Sequence, residues 1–205
     1  GANALGTILE DPSSNSGTLV SALISGKLTD VDAGAQSGIA VTAVDNTHGT
    51  WQYSTNGGTA WSAFGAVSAS GARLLASDAS TLVRFTPAAD WNGNVASGLT
   101  FRAWDQTAGT AGGIADTTTN GGTSAFSTAT ASAAITVTSV NDAPAGTAHT
   151  VTTGEDTAHT FTAADFGFSD AHDAPSNAFS GVKIATLGGA GSFTYNGLAV
   201  VAGQF

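Results

Sequence analysis

Residues 133–140 read Ala-Ala-Ile-Thr-Val-Thr-Ser-Val, and residues 141–144 continue with Asn-Asp-Ala-Pro. Apolar and polar side chains alternate along the first stretch, and β-branched residues are frequent in it, which is typical of a half-buried strand. Proline cannot donate a hydrogen bond to a continuing ladder, so the strand has to end here. The stretch therefore predicts both a β fold and a domain boundary.

Three more short runs alternate in the same way, at residues 50–54 (Thr-Trp-Gln-Tyr-Ser), 81–86 (Thr-Leu-Val-Arg-Phe-Thr) and 99–104 (Leu-Thr-Phe-Arg-Ala-Trp). Asn-Gly pairs lie between and beyond them, at 56–57, 92–93, 120–121 and 196–197, and these residues tolerate the positive φ of tight turns. No long stretch has a helical period. Many short strands separated by such turns predict a β-sandwich.

The pattern of the first part restarts after Pro144. Glu10-Asp11 recurs as Glu155-Asp156, and the Asp-x-Asp of residues 30–32 recurs in Asp-Ala-His-Asp at 170–173. Residues 38–41 and 49–53 recur in the same order at 181–184 and 191–195. Four ordered matches indicate an internal repeat. We predict a complete sandwich at 1–140, a linker at 141–145 and the N-terminal part of a second sandwich at 146–205.

Charge limits the classes of partner. The chain has 205 residues, with 15 Asp and Glu against 5 Lys and Arg, and a formal net charge of −10. Proteins bind nucleic acids and anionic membrane surfaces through clustered Lys and Arg side chains, so we expect neither as a partner. An excess of acids instead favours cations as partners. The absence of cysteine excludes disulfides and thiolate metal sites. Without a membrane-length apolar run or a signal peptide, we expect an intracellular chain or a piece of a longer exported protein.

Motifs for catalysis are missing. There is no Gly-x-Ser-x-Gly elbow, no phosphate-binding loop and no nucleotide fingerprint. The four histidines, at 48, 149, 159 and 172, lack close zinc spacing, and only His172 lies near acids. We therefore expect that the protein is not an enzyme.

Four segments together resemble the cadherin-like repeats of large bacterial surface adhesins. They are residues 141–144 of the linker, Glu155-Asp156, Asp170 and residues 191–197 (Gly-Ser-Phe-Thr-Tyr-Asn-Gly). The first part, with residues 51–58, 84–87 and 101–105, is similar to the VCBS-type repeats of the same RTX-adhesin-like proteins. The resemblance implies an all-β chain of tandem Ig-like or cadherin-like modules, the second one incomplete. It further implies an extracellular stalk at the bacterial surface, part of a longer secreted protein, with neighbouring repeats as partners.

The resemblance also implies Ca²⁺ at the junctions between modules. Calcium takes six to eight oxygen ligands, and carboxylates that converge at domain ends supply them. On this pattern one junction uses the first module, the linker and the start of the second module, and Asp30 and Asp32 face a preceding domain. The implied ligands are Glu10, Asp11, Asp30, Asp32, Asp105, Asn141, Asp142, Asp170 and Asp173. His172, at the second place of the repeated Asp-x-Asp, departs from the pattern.

Other acids fit a simpler interpretation. In loops rich in Gly, Ser and Thr an aspartate is usually a turn or capping residue, and we interpret Asp45, Asp78, Asp90 and Asp116 in that way. Asp165 fits a helical turn. Trp51 and Trp104 alternate with apolar residues and are expected in the core.

Two alternative functions stay open. Half a sandwich leaves unpaired strand edges, so the chain could be a filament subunit that other copies complete by strand complementation. Trp61 and Trp91 lie near turns, which makes them the candidates for a glycan-binding surface if the chain is a carbohydrate-binding module.

Overall fold

A computed structural model of the chain describes residues 3–32 and 34–203. Most of its regular structure is strand. The chain divides into two compact units, residues 1–141 and 142–205. Each unit is described by itself below.

The regular structure of the first unit, in its described residues, consists of strands and one short helix between β3 and β4. In chain order the described elements are β1 (Asn3–Ala4), β2 (Ile8–Leu9), β3 (Thr18–Leu19), α1 (Val20–Ile24), β4 (Gly38–Val44), β5 (Gly49–Ser54), β6 (Ser62–Ala63), β7 (Ala72–Ala76), β8 (Leu82–Pro87), β9 (Gly93–Trp104), β10 (Ile114–Ala115) and β11 (Phe126–Thr138). The four runs that alternate in the sequence fall in β5, β8, β9 and β11.

Two sheets form the first unit. The larger one has the order β1-β11-β9-β4-β7-β10, with β2 also paired to β11, and the smaller one has the order β3-β8-β5-β6. β1 and β2 run parallel to β11, and the other pairs are antiparallel. One core cluster draws on both sheets, from Ile39 and Phe101 on the larger to Trp51 and Phe85 on the smaller. The predicted all-β sandwich is confirmed for this unit.

Trp51 and Trp104 are both buried, as expected, but Trp51 extends from the smaller sheet into the core between the sheets, and Trp104 lies on the other side of the larger sheet. Trp51 fills the space between the sheets, where its ring centroid lies 5.0 Å from that of Phe85. Trp104 packs with Ala40 and Leu74 in a second, smaller cluster. Ala40 and Leu74 alternate along their strands with residues of the core between the sheets, so this smaller apolar cluster covers the opposite face of the larger sheet.

The structure differs from the sequence prediction at two places in the first unit. β9 begins at Gly93 rather than near Leu99, and Gly98 lies inside the strand. A Cβ at Gly98 would overlap Cζ2 of Trp51, so packing against the indole explains a glycine there. Helix α1 was not predicted, and it buries Val20 and Ile24 against the core.

Regular structure is sparse in the second unit. Its described elements are a 3₁₀ turn at Ala163–Phe166, β12 (Thr194–Tyr195) and β13 (Leu198–Ala199). β12 and β13 form a hairpin at the predicted turn of Asn196 and Gly197, which both have positive φ. Aromatic contacts link Phe161, Phe166, Phe168, Phe179 and Phe193. The incomplete second sandwich stays a prediction.

Candidate metal-binding clusters

Glu10 follows β2 directly and lies at one end of the first unit. Its backbone amide donates to the Thr138 carbonyl at 3.0 Å, which continues the pairing of β2 with β11. Its carboxylate accepts a bond from the Val140 amide at 2.7 Å on Oε1 and one from Asn92 Nδ2 at 2.9 Å on Oε2. Glu10 is only 1% exposed. The Glu10 carboxylate therefore connects three segments: the end of β2, the turn before β9 and the residues that follow β11.

Two further acids are connected to Glu10 through the sequence: Asp11 follows it directly, and Asp90 lies two residues before Asn92, which donates to its carboxylate. Asp11 is exposed and Asp90 is half-buried, and a carboxylate oxygen of each lies within 4.8 Å of the other. Asp90 has φ +54, the left-handed conformation of a tight turn, so its interpretation as a turn residue is correct. We call Glu10, Asp11, Asp90 and Asn92 the first cluster.

The spacing within the first cluster suits a hard cation. Two oxygens bound to one calcium at 2.3–2.6 Å lie at most about 5 Å apart, so Asp11 and Asp90 satisfy that limit without backbone movement. Without a cation the two carboxylates repel each other, by an amount that salt reduces. Asp11 and Asp90 are therefore spaced as two ligands of one divalent cation would be. The linker residue Asn141, which follows Val140, is exposed.

Asp105 does not join the first cluster, contrary to the implied ligand set. Asn92 directly precedes β9 and Asp105 directly follows it. At about 3.3 Å per residue, the 12 residues of β9 separate the two ends by roughly 35 Å. Asp105 Oδ1 instead accepts bonds from the amide and hydroxyl of Thr107, at 2.8 and 2.6 Å, in an Asx turn. The sequence placed Asp105 late in the module but did not reveal at which end.

Asp30 and Asp32 are exposed in the loop between α1 and β4. Asp30 Oδ1 accepts a bond from the Asp32 amide at 2.9 Å. The loop ends at Ser37, whose carbonyl accepts a bond from Gln106 Nε2 at 2.6 Å. The loop therefore joins β4 at the same end of the unit as Asp105. The structure does not bring this pair to the first cluster. Their role toward a preceding domain stays a prediction.

A second cluster lies in the second unit. Asp170 and Asp173 are 7% and 8% exposed, although neither forms an ion pair with a cation in the described part of the chain. Asp173 accepts bonds from the Asp142 amide at 2.7 Å and from Asn177 Nδ2 at 2.7 Å. Asp170 Oδ2 accepts a bond from the Asn177 amide at 2.6 Å. Three implied ligands, Asp142, Asp170 and Asp173, therefore belong to one network.

Asp170 has one carboxylate oxygen that accepts no hydrogen bond from the described part of the chain. Asp170 Oδ1 is buried, and no donor among the described residues reaches it. A buried carboxylate oxygen without a hydrogen bond costs free energy unless a cation binds it. His172 lies between the two buried acids in sequence but is itself exposed.

The acids interpreted as turn residues are turn residues. Asp45 Oδ1 accepts a bond from the Thr47 amide, and Asp116 Oδ1 accepts bonds from the amide and hydroxyl of Thr118. Hydrogen bonds from Thr118, its side chain first, lower the pKa of Asp116. Burial raises the pKa of Asp78, but bonds from Ser80 and Thr81 outweigh it and hold that pKa below its usual value. These carboxylates stabilise turns by accepting hydrogen bonds from backbone amides.

Asp165 caps the 3₁₀ turn of the second unit. Its Oδ2 accepts bonds from the amide and hydroxyl of Thr162, at 2.7 and 2.9 Å, in a capping box. His149 Nδ1 and His159 Nε2 each lie 3.7 Å from one of its oxygens. The backbone bond from Thr162, then its hydroxyl bond and the fields of the two imidazoles, lower the pKa of Asp165.

This lowered pKa predicts how local stability depends on pH. Because the folded value lies below the unfolded value of about 3.9, ionised Asp165 stabilises the turn above that pH, and the contribution disappears as pH falls through the folded pKa. We expect Asp165→Asn to speed hydrogen exchange of the Gly167 amide near neutral pH and to have no effect at the lowest pH. Asp116→Asn, in the first unit, is the control. A difference that is equal at both pH extremes would contradict the prediction.

The two tryptophans proposed as a glycan surface have different surroundings. Trp91 stacks on His48, with ring centroids 4.5 Å apart and planes 7° apart, and packs against the first core cluster. Trp61 is half-buried on the outer side of the smaller sheet, and the Arg84 guanidinium lies 4.0 Å from its ring centroid. One face of each indole is therefore covered.

Comparison of the chain with family models, with curated protein sequences and with solved structures gives no match. Among the residues that the structure describes, no helix has the length and apolar character needed to cross a membrane. The candidate sites therefore depend on the geometry above.

Proposed function

We propose that the chain is a structural segment of a secreted bacterial adhesin or matrix protein, a stalk or spacer whose modules calcium stiffens. The observation that carries this proposal is the close approach of the Asp11 and Asp90 carboxylates. Glu10, which precedes Asp11 in the sequence, is a buried carboxylate that accepts bonds from Asn92 and Val140. The likeness of the linker at 141–144 to cadherin-like repeats supports it.

One acid of the first cluster, Glu10, is buried, whereas Asp11 is exposed and Asp90 half-buried. A carboxylate removed from water loses hydration, and a bound cation offsets that loss. The hydrogen bonds to Glu10 also fix one ligand before the ion arrives, so less conformational entropy is lost on binding. Calcium then replaces the repulsion between Asp11 and Asp90 with shared coordination.

Acids of both clusters hold the backbone of the linker. Glu10 accepts a bond from the Val140 amide, and Asp173 accepts one from the Asp142 amide. Only Asn141 separates these two residues in the sequence. An ion that orders either cluster thereby orders one end of this short connection, and this is how we propose that calcium restricts the movement of one unit against the other.

Small-angle scattering of the full chain, in calcium and in chelator, tests the proposal. We expect calcium to give the scattering of one rigid particle and chelation to give that of two units on a flexible connection. Asp170→Asn, which removes a buried charge, should weaken the response, and Asp116→Asn, at an exposed turn, should leave it intact. Identical curves in calcium and chelator would overturn the proposal.

The filament subunit is the second candidate, and one observation favours it. The hairpin of β12 and β13 exposes Tyr195 at 70% and Leu198 at 74%. Such apolar side chains on a short hairpin are available to a strand from another copy. Sedimentation velocity decides between the candidates, since growth into long polymers at rising concentration favours the filament and a constant monomer favours the stalk.

A further inference from the structure

The outer face of the smaller sheet carries a depression of about 360 Å³ around Arg84. Val83 and Phe85 point into the core, so the alternation of β8 directs Arg84 to the opposite, outer face. The rest of the lining consists of Ser14, Asn15, Ser16, Gly57, Gly58 and Trp61. All these residues belong to the first unit, and Ser14 follows Asp11 of the first cluster by three positions in the sequence.

Three contacts fix the guanidinium of Arg84. Its Nε donates to Gln52 Oε1 at 2.7 Å, and its Nη1 donates to the Asn15 carbonyl at 3.1 Å. Its Cζ lies 4.0 Å from the ring centroid of Trp61, which is a cation–π contact. A side chain held at three points loses little further entropy when a ligand binds, so the site is preorganised.

The indole of Trp61 packs closely against two glycines. A Cβ at Gly17 would lie 2.6 Å from Cη2 of the indole, and one at Gly58 would lie 3.5 Å from Cζ2. Both glycines have positive φ, so their conformation also disfavours a side chain. The ring therefore fits between two turns, and its position defines where the guanidinium stacks.

Arg84 retains the capacity to bind an anion. A guanidinium has five N–H donors, and the two hydrogen bonds above use two of them. In the described part of the chain no carboxylate forms an ion pair with Arg84, and the lining of the depression contains no acid. The remaining donors suit a planar carboxylate, which arginine binds in a bidentate manner.

We infer that this depression binds the carboxylate of an acidic saccharide, a uronate-containing glycan. Arg84 binds the carboxylate, and the sugar hydroxyls meet the hydroxyls of Ser14 and Ser16 and the backbone at residues 57–58. An acidic peptide fits less well, because Trp61 is the only apolar side chain in the lining within the described residues. Ser14, Ser16 and Arg84 also line an adjoining cavity of about 400 Å³, but apolar side chains, among them Leu5, Ile8 and Phe85, line that cavity as well, so the inference is confined to the depression.

Calorimetric titration of the full chain with oligouronates tests the inference. The titration is run in chelator, so that calcium cannot bridge sugar and protein and the result is independent of the proposed stalk function. We expect a uronate oligomer to bind, with an affinity that falls as salt rises, and a neutral oligomer of equal length not to bind. Arg84→Gln should weaken binding about ten- to one-hundredfold, because it removes a charge-assisted hydrogen-bond pair.

Arg73 provides the matched control. Its guanidinium lies 5.1 Å from the Tyr53 ring and donates to the Gly112 carbonyl at 2.7 Å, but it lines neither cavity. Arg73→Gln should therefore bind the uronate like wild type. Ser14→Asp places a negative charge in the depression at an exposed position, and it should abolish binding without affecting the core even if Arg84→Gln folds poorly.

Three outcomes would overturn the inference. The first is the absence of uronate binding to wild type at concentrations up to about 10 mM, where even weak specific sites saturate. The second is full binding by Ser14→Asp. The third is binding of a glutamate-rich peptide as tight as that of the uronate, which would make the depression a peptide site.

Discussion

Calcium should raise the midpoint of thermal unfolding of the first unit, and Glu10→Gln should remove most of that gain. A ligand that binds only the folded state at one hundred times its Kd stabilises it by about 2.7 kcal/mol. For a unit of this size, that corresponds to a shift of roughly 5–10 °C. All four tryptophans of the chain lie in the first unit, so their fluorescence follows its unfolding alone.

Glutamine removes the charge of Glu10 and one of its two hydrogen-bond acceptors, because its amide nitrogen cannot accept the bond from Asn92 Nδ2. Its amide oxygen can still accept the bond from the Val140 amide, and its size preserves the packing of a side chain that is 1% exposed. The negative charge that attracts the ion disappears, and so does its repulsion with Asp11 and Asp90. In chelator the variant should lose about 1–3 kcal/mol with the bond from Asn92, so the measured quantity is the gain in midpoint from chelator to calcium within each protein, and that gain should be lost.

Controls separate a specific site from a general salt effect. Asp116→Asn removes an acid with the same formal charge from an exposed turn, and it should keep the full response. Magnesium at equal concentration should stabilise less, because it demands a regular octahedral shell that a shared, partly exposed site does not provide. A wild type with the same midpoint in calcium and in chelator, or a Glu10→Gln variant with an undiminished gain, would contradict the metal site.

The sequence predicted the fold class from signals that are local. Alternation along 133–138 places Ile135 and Val137 in the core and Thr136 outside it, which is what the structure contains. Helix α1 gave no such signal, because five residues are too few for a helical period and it has no capping side chain. Strand β9 was assigned too short because Gly98, which the Trp51 indole requires, interrupts the pattern.

The candidate sites depend on distances that a sequence does not contain. The order of acidic motifs indicated Glu10, Asp170 and Asp173, and these are the three buried acids among the described residues. It also grouped Asp105 with them, and this was wrong because β9 carries the chain to the far end of the unit. Asp90 was interpreted only as a turn residue, since its approach to Asp11 comes from two loops almost eighty positions apart. Nothing in the sequence paired Arg84 with Trp61.

Trp51→Ala should cost the first unit about 3–5 kcal/mol of unfolding free energy, as truncation of a fully buried aromatic does. Trp51 contacts Phe85 across the core, and the cavity it would leave lies between two sheets that cannot easily close. Chemical denaturation followed by circular dichroism measures the loss. Trp61→Ala, on the outer face, should cost about 1 kcal/mol, the value of a cation–π contact with Arg84.

A double-mutant cycle with Gly98 determines whether the loss comes from this packing. A Cβ at Gly98 would overlap the six-membered ring of the Trp51 indole, so Gly98→Ala should cost about 1–3 kcal/mol in the wild-type background. Trp51→Phe removes that ring overlap together with a buried Nε1–H that has no acceptor among the described residues. In the Trp51→Phe background Gly98→Ala should therefore be nearly neutral. Equal costs in both backgrounds would show that Gly98 is constrained by the strand backbone instead of the indole.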